Sequence, residues 1–154
     1  MHEFEEVGAR EPIDPDVVPT LERSELQAVL AVSAGAIVGS IGRFMIERAW
    51  PATAGEIPWS TFVINLTGSF TLPFVVVAAT YVWPRAWLLR PALGTGVLGG
   101  YTTFSTFAVE QQQLFSRGAV LVGSAYVAMT LVSCALGTRI ALSSARRLFA
   151  RRAA

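Results

Sequence analysis

The stretch Gly96 to Glu110, GVLGGYTTFSTFAVE, sits midway along an apolar run wide enough to cross a bilayer, yet it holds a glycine pair, four hydroxyl side chains, a tyrosine and a terminal carboxylate. Hydrocarbon tolerates irregular or polar backbone only where protein or a wet cavity meets it. Gly99 and Gly100 lower helix stability and open backbone angles closed to other residues, and Thr102 and Thr103 compete for backbone hydrogen bonds. The expected result is an unwound turn near the bilayer centre. Freed carbonyls there would suit a small hard cation, while the restarting helix presents N–H groups suited to an anion. Phe104 and Phe107, three apart, are either lipid-facing bulk or positive ring edges lining an anion's path. Ser105 and Thr106 would add hydroxyl donors. Glu110 follows one turn later, and a carboxylate inside a membrane is a functional candidate by default.

Other polar residues in apolar surroundings fall on the flanking runs. Asn65 and Ser69 are four apart and share a helix face; the Asn65 amide either joins two helices or offers its N–H groups to an anion. Tyr126, Thr130 and Cys134 recur at intervals of four, a polar stripe that either extends a row of donors across the membrane or only satisfies backbone carbonyls. Arg43, at the end of the first run, is either a snorkelling anchor or a buried cation that concentrates anions at a vestibule. Small residues at Ala31, Gly35, Gly39 and Gly42 favour close helix packing, and Pro73 is expected to bend the second run.

The elements that must position these groups follow from composition. A chain of 154 residues that is 53% hydrophobic, 15% charged and of mean hydropathy +0.50 is an all-α membrane protein of one domain. Four apolar runs, each near the ~20 residues a bilayer needs, extend from Leu26 to about Ile46, Trp59 to Trp83, Pro91 to Phe115 and Ala119 to Leu142. Residues 26–142 thus form a four-helix transmembrane domain with a broken third helix, between a disordered acidic tail (1–25) and a basic tail (143–154). Eight of eleven acids lie in the first 25 residues and five of twelve arginines from Arg139 onward. Trp50, Trp59, Trp83 and Trp87 mark the span ends as an interfacial belt does. Nine arginines fall on the side of the termini and three, Arg43, Arg48 and Arg117, on the other, which places both termini in the cytoplasm. An acidic leader without an early apolar core gives no cleaved signal peptide, and the single Cys134 allows no internal disulfide.

Over all four runs the chain resembles the Fluc (CrcB-type) fluoride channel family. The resemblance is carried by GGYTTFSTFAVE from Gly99 to Glu110, with TFVINLTGSF from Thr61 and GAIVGSIGRF from Gly35 in support. It implies a four-helix subunit that pairs antiparallel with a second copy, in the manner of dual-topology proteins, with two fluoride pathways and a structural Na+ at the interface. Carbonyls of Gly99 and Thr102 would hold the sodium. Asn65, Phe104, Ser105, Thr106, Phe107, Glu110, Tyr126 and Thr130 would line the fluoride pathway, with Arg43 near the vestibule. The chain departs from the family pattern at Ala36, Ser40, Pro73 and Thr130; a threonine keeps the hydroxyl expected of serine.

No nucleophile, metal triad or phosphate loop occurs, and His2 is the only histidine, so catalysis and nucleic-acid binding are not expected. A proton-coupled multidrug antiporter needs a carboxylate deep in its first helix, and here none precedes Glu47 at its end. A non-transporting assembly subunit gives no reason for a polar turn at the bilayer centre. The arginine asymmetry adds an expectation: one fixed orientation, in the plasma membrane, beside an oppositely inserted homologue in place of an identical copy.

Overall fold

The computed structural model describes residues 22–149, so most of the acidic tail and the last five residues lie outside the described part. Among the described residues every regular element is helical. Helix α1 spans Arg23–Ala49 and α2 Trp59–Tyr81. A π-helical segment, Arg90–Leu98, leads into the short α3, Gly99–Tyr101, and α4 covers Phe104–Ser116. Helix α5 runs Val120–Phe149.

Three helices, α1, α2 and α5, are long and apolar enough to cross a membrane unbroken. No single helix fills the expected third span, which is made of nine π-helical residues, one α-turn and the 13-residue α4. The helical part also exceeds the apolar part. α1 starts at Arg23, where the Glu25 carboxylate accepts from the Glu22 backbone N–H at 3.0 Å, a capping bond that puts negative charge at the positive helix end. α5 continues through Arg146 and Arg147, whose charge suits its C-terminal end.

Packing divides the bundle in two. α1 lies against the π-helical segment and α3, glycine to glycine. A Cβ on Gly39 would meet the Val97 carbonyl oxygen and come within 2.8 Å of the Tyr101 nitrogen, and one on Gly96 would lie 2.7 Å from the Val32 oxygen. Of the small residues read from the sequence, Gly35 and Gly39 pack backbone against backbone, while Gly42 faces only the Tyr101 ring at 4.0 Å.

The other half joins α2, α4 and α5. Gly118, at φ 77°, turns α4 into α5, and its positive φ is open to glycine at little cost. Pro73 lies inside α2 and has no N–H to give the Ser69 carbonyl one turn back. Thr138 of α5 sets its hydroxyl 3.2 Å from that Ser69 oxygen, sharing one O–H between it and its own Cys134 carbonyl at 2.8 Å. The proline thereby ties α2 to α5 without ending α2.

Candidate ion site at the broken third crossing

The helix opens at Thr102 and Thr103, which are extended (φ −77°, ψ 155° and φ −145°, ψ 124°), while Gly99 keeps α-helical angles. Of the two pairs expected to unwind the turn, the threonines open and the glycines stay helical. Gly100 serves close packing instead, since a Cβ there would strike the Ala36 carbonyl and lie 2.9 Å from the Ala36 Cα.

A side chain from α2 holds the break open. Asn65 Nδ2 donates to the Thr103 carbonyl at 2.9 Å, and the Thr103 N–H donates to Asn65 Oδ1 at 2.9 Å. This two-way pairing takes up both backbone groups of Thr103, much as a neighbouring strand would. Thr103 in turn caps α4: its hydroxyl accepts from the Thr106 N–H at 3.1 Å and donates to the Thr106 hydroxyl at 3.0 Å. Ser105 Oγ lies 3.3 Å from the Thr103 hydroxyl. Asn65 is therefore helix glue, one of the two roles open to it from sequence, and its target is the break itself.

The carbonyls follow from this arrangement. Leu98 O accepts the Thr102 N–H at 3.0 Å and the Thr102 hydroxyl at 2.9 Å. Gly100 O accepts from Arg43 Nε at 3.2 Å and Ser40 Oγ at 3.4 Å. The helical donor for Gly99 O would be the Thr103 N–H, which is spent on Asn65, and that for Thr102 O would be the Thr106 N–H, which is spent on the Thr103 hydroxyl. Among the described residues no donor reaches the carbonyls of Gly99, Tyr101 or Thr102. Unpaired carbonyl oxygens in an apolar slab are costly unless an ion or water meets them, and oxygen is the ligand type a small hard cation takes. Arg43 binds Gly100 O and pairs with Glu47 at 3.4 Å, which fixes its guanidinium beside the break.

Beside the break lies a cavity of about 360 Å³ between α2, the third crossing and α5. Asn65, Thr102, Phe104, Phe107, Thr130 and Cys134 are among its walls. The two phenylalanines part company: Phe107 is buried at 5% exposure and packs on Tyr126 with ring centroids 5.1 Å apart, while Phe104 is 77% exposed on the open flank. Thr130 is 5% exposed, and its hydroxyl has no hydrogen-bond partner among the described residues. Ser133 and Thr138 of the same helix instead bond the carbonyls one turn back, at 2.6 and 2.8 Å. The polar stripe of α5 therefore does more than satisfy its own backbone.

Glu110 stands further along. Its carboxylate accepts from the Thr61 hydroxyl at 2.8 Å and from the Tyr126 hydroxyl at 2.9 Å. It also borders a smaller cavity of about 130 Å³, shared with Glu56, Gln113 and Arg117 at the α1–α2 and α4–α5 loops. Phe107, Tyr126 and Glu110 thus form a continuous chain of contacts from the large cavity to the loop face. Of the site residues read from sequence, Asn65, Gly99, Thr102, Phe104, Phe107 and Thr130 share the large cavity; Ser105 and Thr106 adjoin the break through the Thr103 hydroxyl, Tyr126 and Glu110 lie beyond Phe107, and Arg43 reaches the break from α1 at the Gly100 carbonyl. Sequence reasoning missed Thr61 as a Glu110 donor, although it lies four before Asn65 on the same face. It also missed Ser40, and Thr67, whose hydroxyl meets the Tyr101 hydroxyl at 3.0 Å.

The family described as "CrcB-like protein, Camphor Resistance (CrcB)" matches residues 30–142. The chain is 40% identical over 132 residues, 86% of its length and 92% of the relative's, to "Fluoride-specific ion channel FluC 2" of Nocardia farcinica. It is 39% identical to "Fluoride-specific ion channel FluC 1" of Streptomyces coelicolor over 82% of each chain. With "Fluoride-specific ion channel FluC" of Rhodospirillum centenum it shares 38% identity over 70% of its own length and 86% of the relative's. Since the match takes in most of α1 and α5, all of α2, and the whole of the broken segment between α2 and α5, this chain belongs to the CrcB-like family.

Proposed function

We propose that this chain is a subunit of a fluoride-selective channel through which fluoride leaves the cell passively; it carries ions and catalyses no reaction. The observation that carries the reading is the break in the third crossing, whose cavity joins Asn65, Phe104 and Phe107 to the unpartnered Thr130 hydroxyl. The names of its relatives support it.

Fluoride is small and strongly hydrated, so a pore must replace water's donors with fixed ones that hold it weakly enough to release it. Thr130 offers an uncommitted O–H, and the Phe104 and Phe107 ring edges offer positive charge without a strong bond. Ser105 and Thr106 add hydroxyls near the α4 start. Beyond Phe107, Tyr126 and Glu110 continue the route toward the loop-side cavity. An interior-negative potential of ~100 mV favours the exit of one anion by about 2.3 kcal/mol, so no coupled energy source is needed.

The uncommitted carbonyls of Gly99 and Thr102 fit a structural Na+, and a second chain related by a twofold axis in the membrane plane would double their number. That second subunit inserts the opposite way. The arginine asymmetry favours a homologue over an identical copy and both termini in the cytoplasm, and passive exit of fluoride from the cell makes the plasma membrane the site of action.

Fluoride efflux from liposomes holding the purified chain, alone and with candidate homologues, tests the reading. Flux that disappears in Phe104→Ile and Phe107→Ile supports it. A drug-for-proton exchange, or no ion flux with any partner, would replace it by an antiporter or an assembly subunit. Tag mapping that found the termini on both membrane faces would remove the fixed orientation.

A further inference from the structure

Far from the break, the connection from α2 to the third crossing encloses a cleft that the channel reading leaves unused. It measures about 290 Å³ and is walled by Thr80, Trp83, Pro84, Ala86, Trp87 and Arg90, close to the ~300 Å³ at which small-ligand sites begin. Trp83 and Trp87 are each about half exposed, at 52% and 50%. Arg90 is exposed and free of carboxylates, since the only ion pair among the described residues is Arg43–Glu47. The Thr80 hydroxyl is spent on the Val76 carbonyl at 2.8 Å.

The cleft lies at an end of the bundle that is rich in positive charge. Thr138 meets Ser69, and α2 and α5 run the same way from there, so the basic last turn of α5, Arg146 and Arg147, descends to the face where α2 ends. Arg85 stands on the same connection. A membrane-spanning helix end with half-exposed indoles sits at headgroup depth. There a guanidinium fork matches two phosphate oxygens, indole N–H groups can only donate, and the indole faces with Pro84 suit a glycerol backbone. Basic pockets between membrane helices recognise anionic headgroups on this principle.

We propose that this cleft binds the headgroup of an anionic phospholipid, with Arg90 on the phosphate and Trp83 and Trp87 on either side. The test uses the full chain with Trp50→Phe and Trp59→Phe, which leaves fluorescence only to Trp83 and Trp87. In liposomes, brominated phosphatidylglycerol is expected to quench this emission about fivefold more effectively than brominated phosphatidylcholine, the ratio one well-placed arginine gives. Arg90→Gln should bring the two lipids level, while Arg85→Gln, a change on the same loop but outside the cleft, should keep the preference. Circular dichroism verifies that each variant is folded, and no readout depends on fluoride transport. Equal quenching in the parent, survival of the preference in Arg90→Gln, or its equal loss in Arg85→Gln overturns the site. Abolition of the preference by millimolar inorganic phosphate also overturns it, in favour of a soluble anion.

Discussion

The two halves of the third crossing are held in opposite ways. Its first half, Arg90–Tyr101, is gripped by α1 chiefly through missing side chains, Gly35 facing Gly96, Gly39 facing Val97 and Tyr101, and Gly100 facing Ala36 so closely that a methyl group would meet backbone, with Ser40 and Arg43 bonding only the Gly100 carbonyl at its end. Its second half, Phe104–Ser116, is gripped by polar side chains of α2 and α5, namely Asn65 at the break and Thr61 and Tyr126 at Glu110. The chain unwinds where one kind of support gives way to the other. A glycine seam holds a helix rigidly but cannot replace its internal hydrogen bonds, whereas an amide or hydroxyl can. Only the polar side can therefore keep a helix open in an apolar medium.

The largest effect is expected from Asn65→Ala, which strands the N–H and C=O of Thr103. At ~1–3 kcal/mol per stranded group the loss is about 2–6 kcal/mol, read as a collapse of thermal stability in detergent together with loss of flux. Retention of both would show that the break does not rest on α2. On the glycine side, Gly39→Val puts carbon against the Val97 carbonyl and the Tyr101 N–H, and it should cost about 3 kcal/mol or more. A small effect there would mean that α1 is a loose strap and the contrast is false.

Tyr126→Phe removes one hydrogen bond to a carboxylate and is expected to cost about 1.5–3 kcal/mol in thermal unfolding. Thr61→Val removes the other bond to Glu110 and should cost a similar amount, and the double variant should deviate from additivity because both act on one group. The smallest stability change carries the sharpest sign. Thr130→Val deletes a buried hydroxyl without a partner, so the fold should gain roughly 1 kcal/mol while fluoride flux falls. Thr130→Ser should keep the flux. A Thr130→Val protein that is destabilised would show that the hydroxyl has a partner in the fold.

Much of this was open to reading in one dimension. The run lengths gave the crossings, small residues at helical spacing gave the α1 seam, and hydroxyls beside glycines in an apolar run marked the third crossing as broken. The sequence places the break among Gly99, Gly100, Thr102 and Thr103 but does not say which pair opens, because glycine's conformational freedom is a local property, whereas the opening at Thr103 is held by Asn65, 38 positions away. Arg43 was left between two roles for the same reason, as its partner, the Gly100 carbonyl, lies 57 positions on. Thr61 went unnoticed because a threonine near a helix start reads as ordinary until a carboxylate stands opposite. Phe104 and Phe107 looked equivalent, and their separation into one exposed and one buried ring depends on which faces of α4 meet α5.

By itself the sequence determined that this chain lives in a bilayer, where its crossings run, and which polar residues are too costly in lipid to be there without a partner. Those are consequences of transfer free energy, which depends on composition and spacing alone. Tertiary structure decided which partner each polar group has: Asn65 with Thr103, Arg43 with Gly100, Tyr126 and Thr61 with Glu110, and none for Thr130. A hydrogen bond is a matter of distance and direction between groups far apart along the chain, and only the packed helices set those.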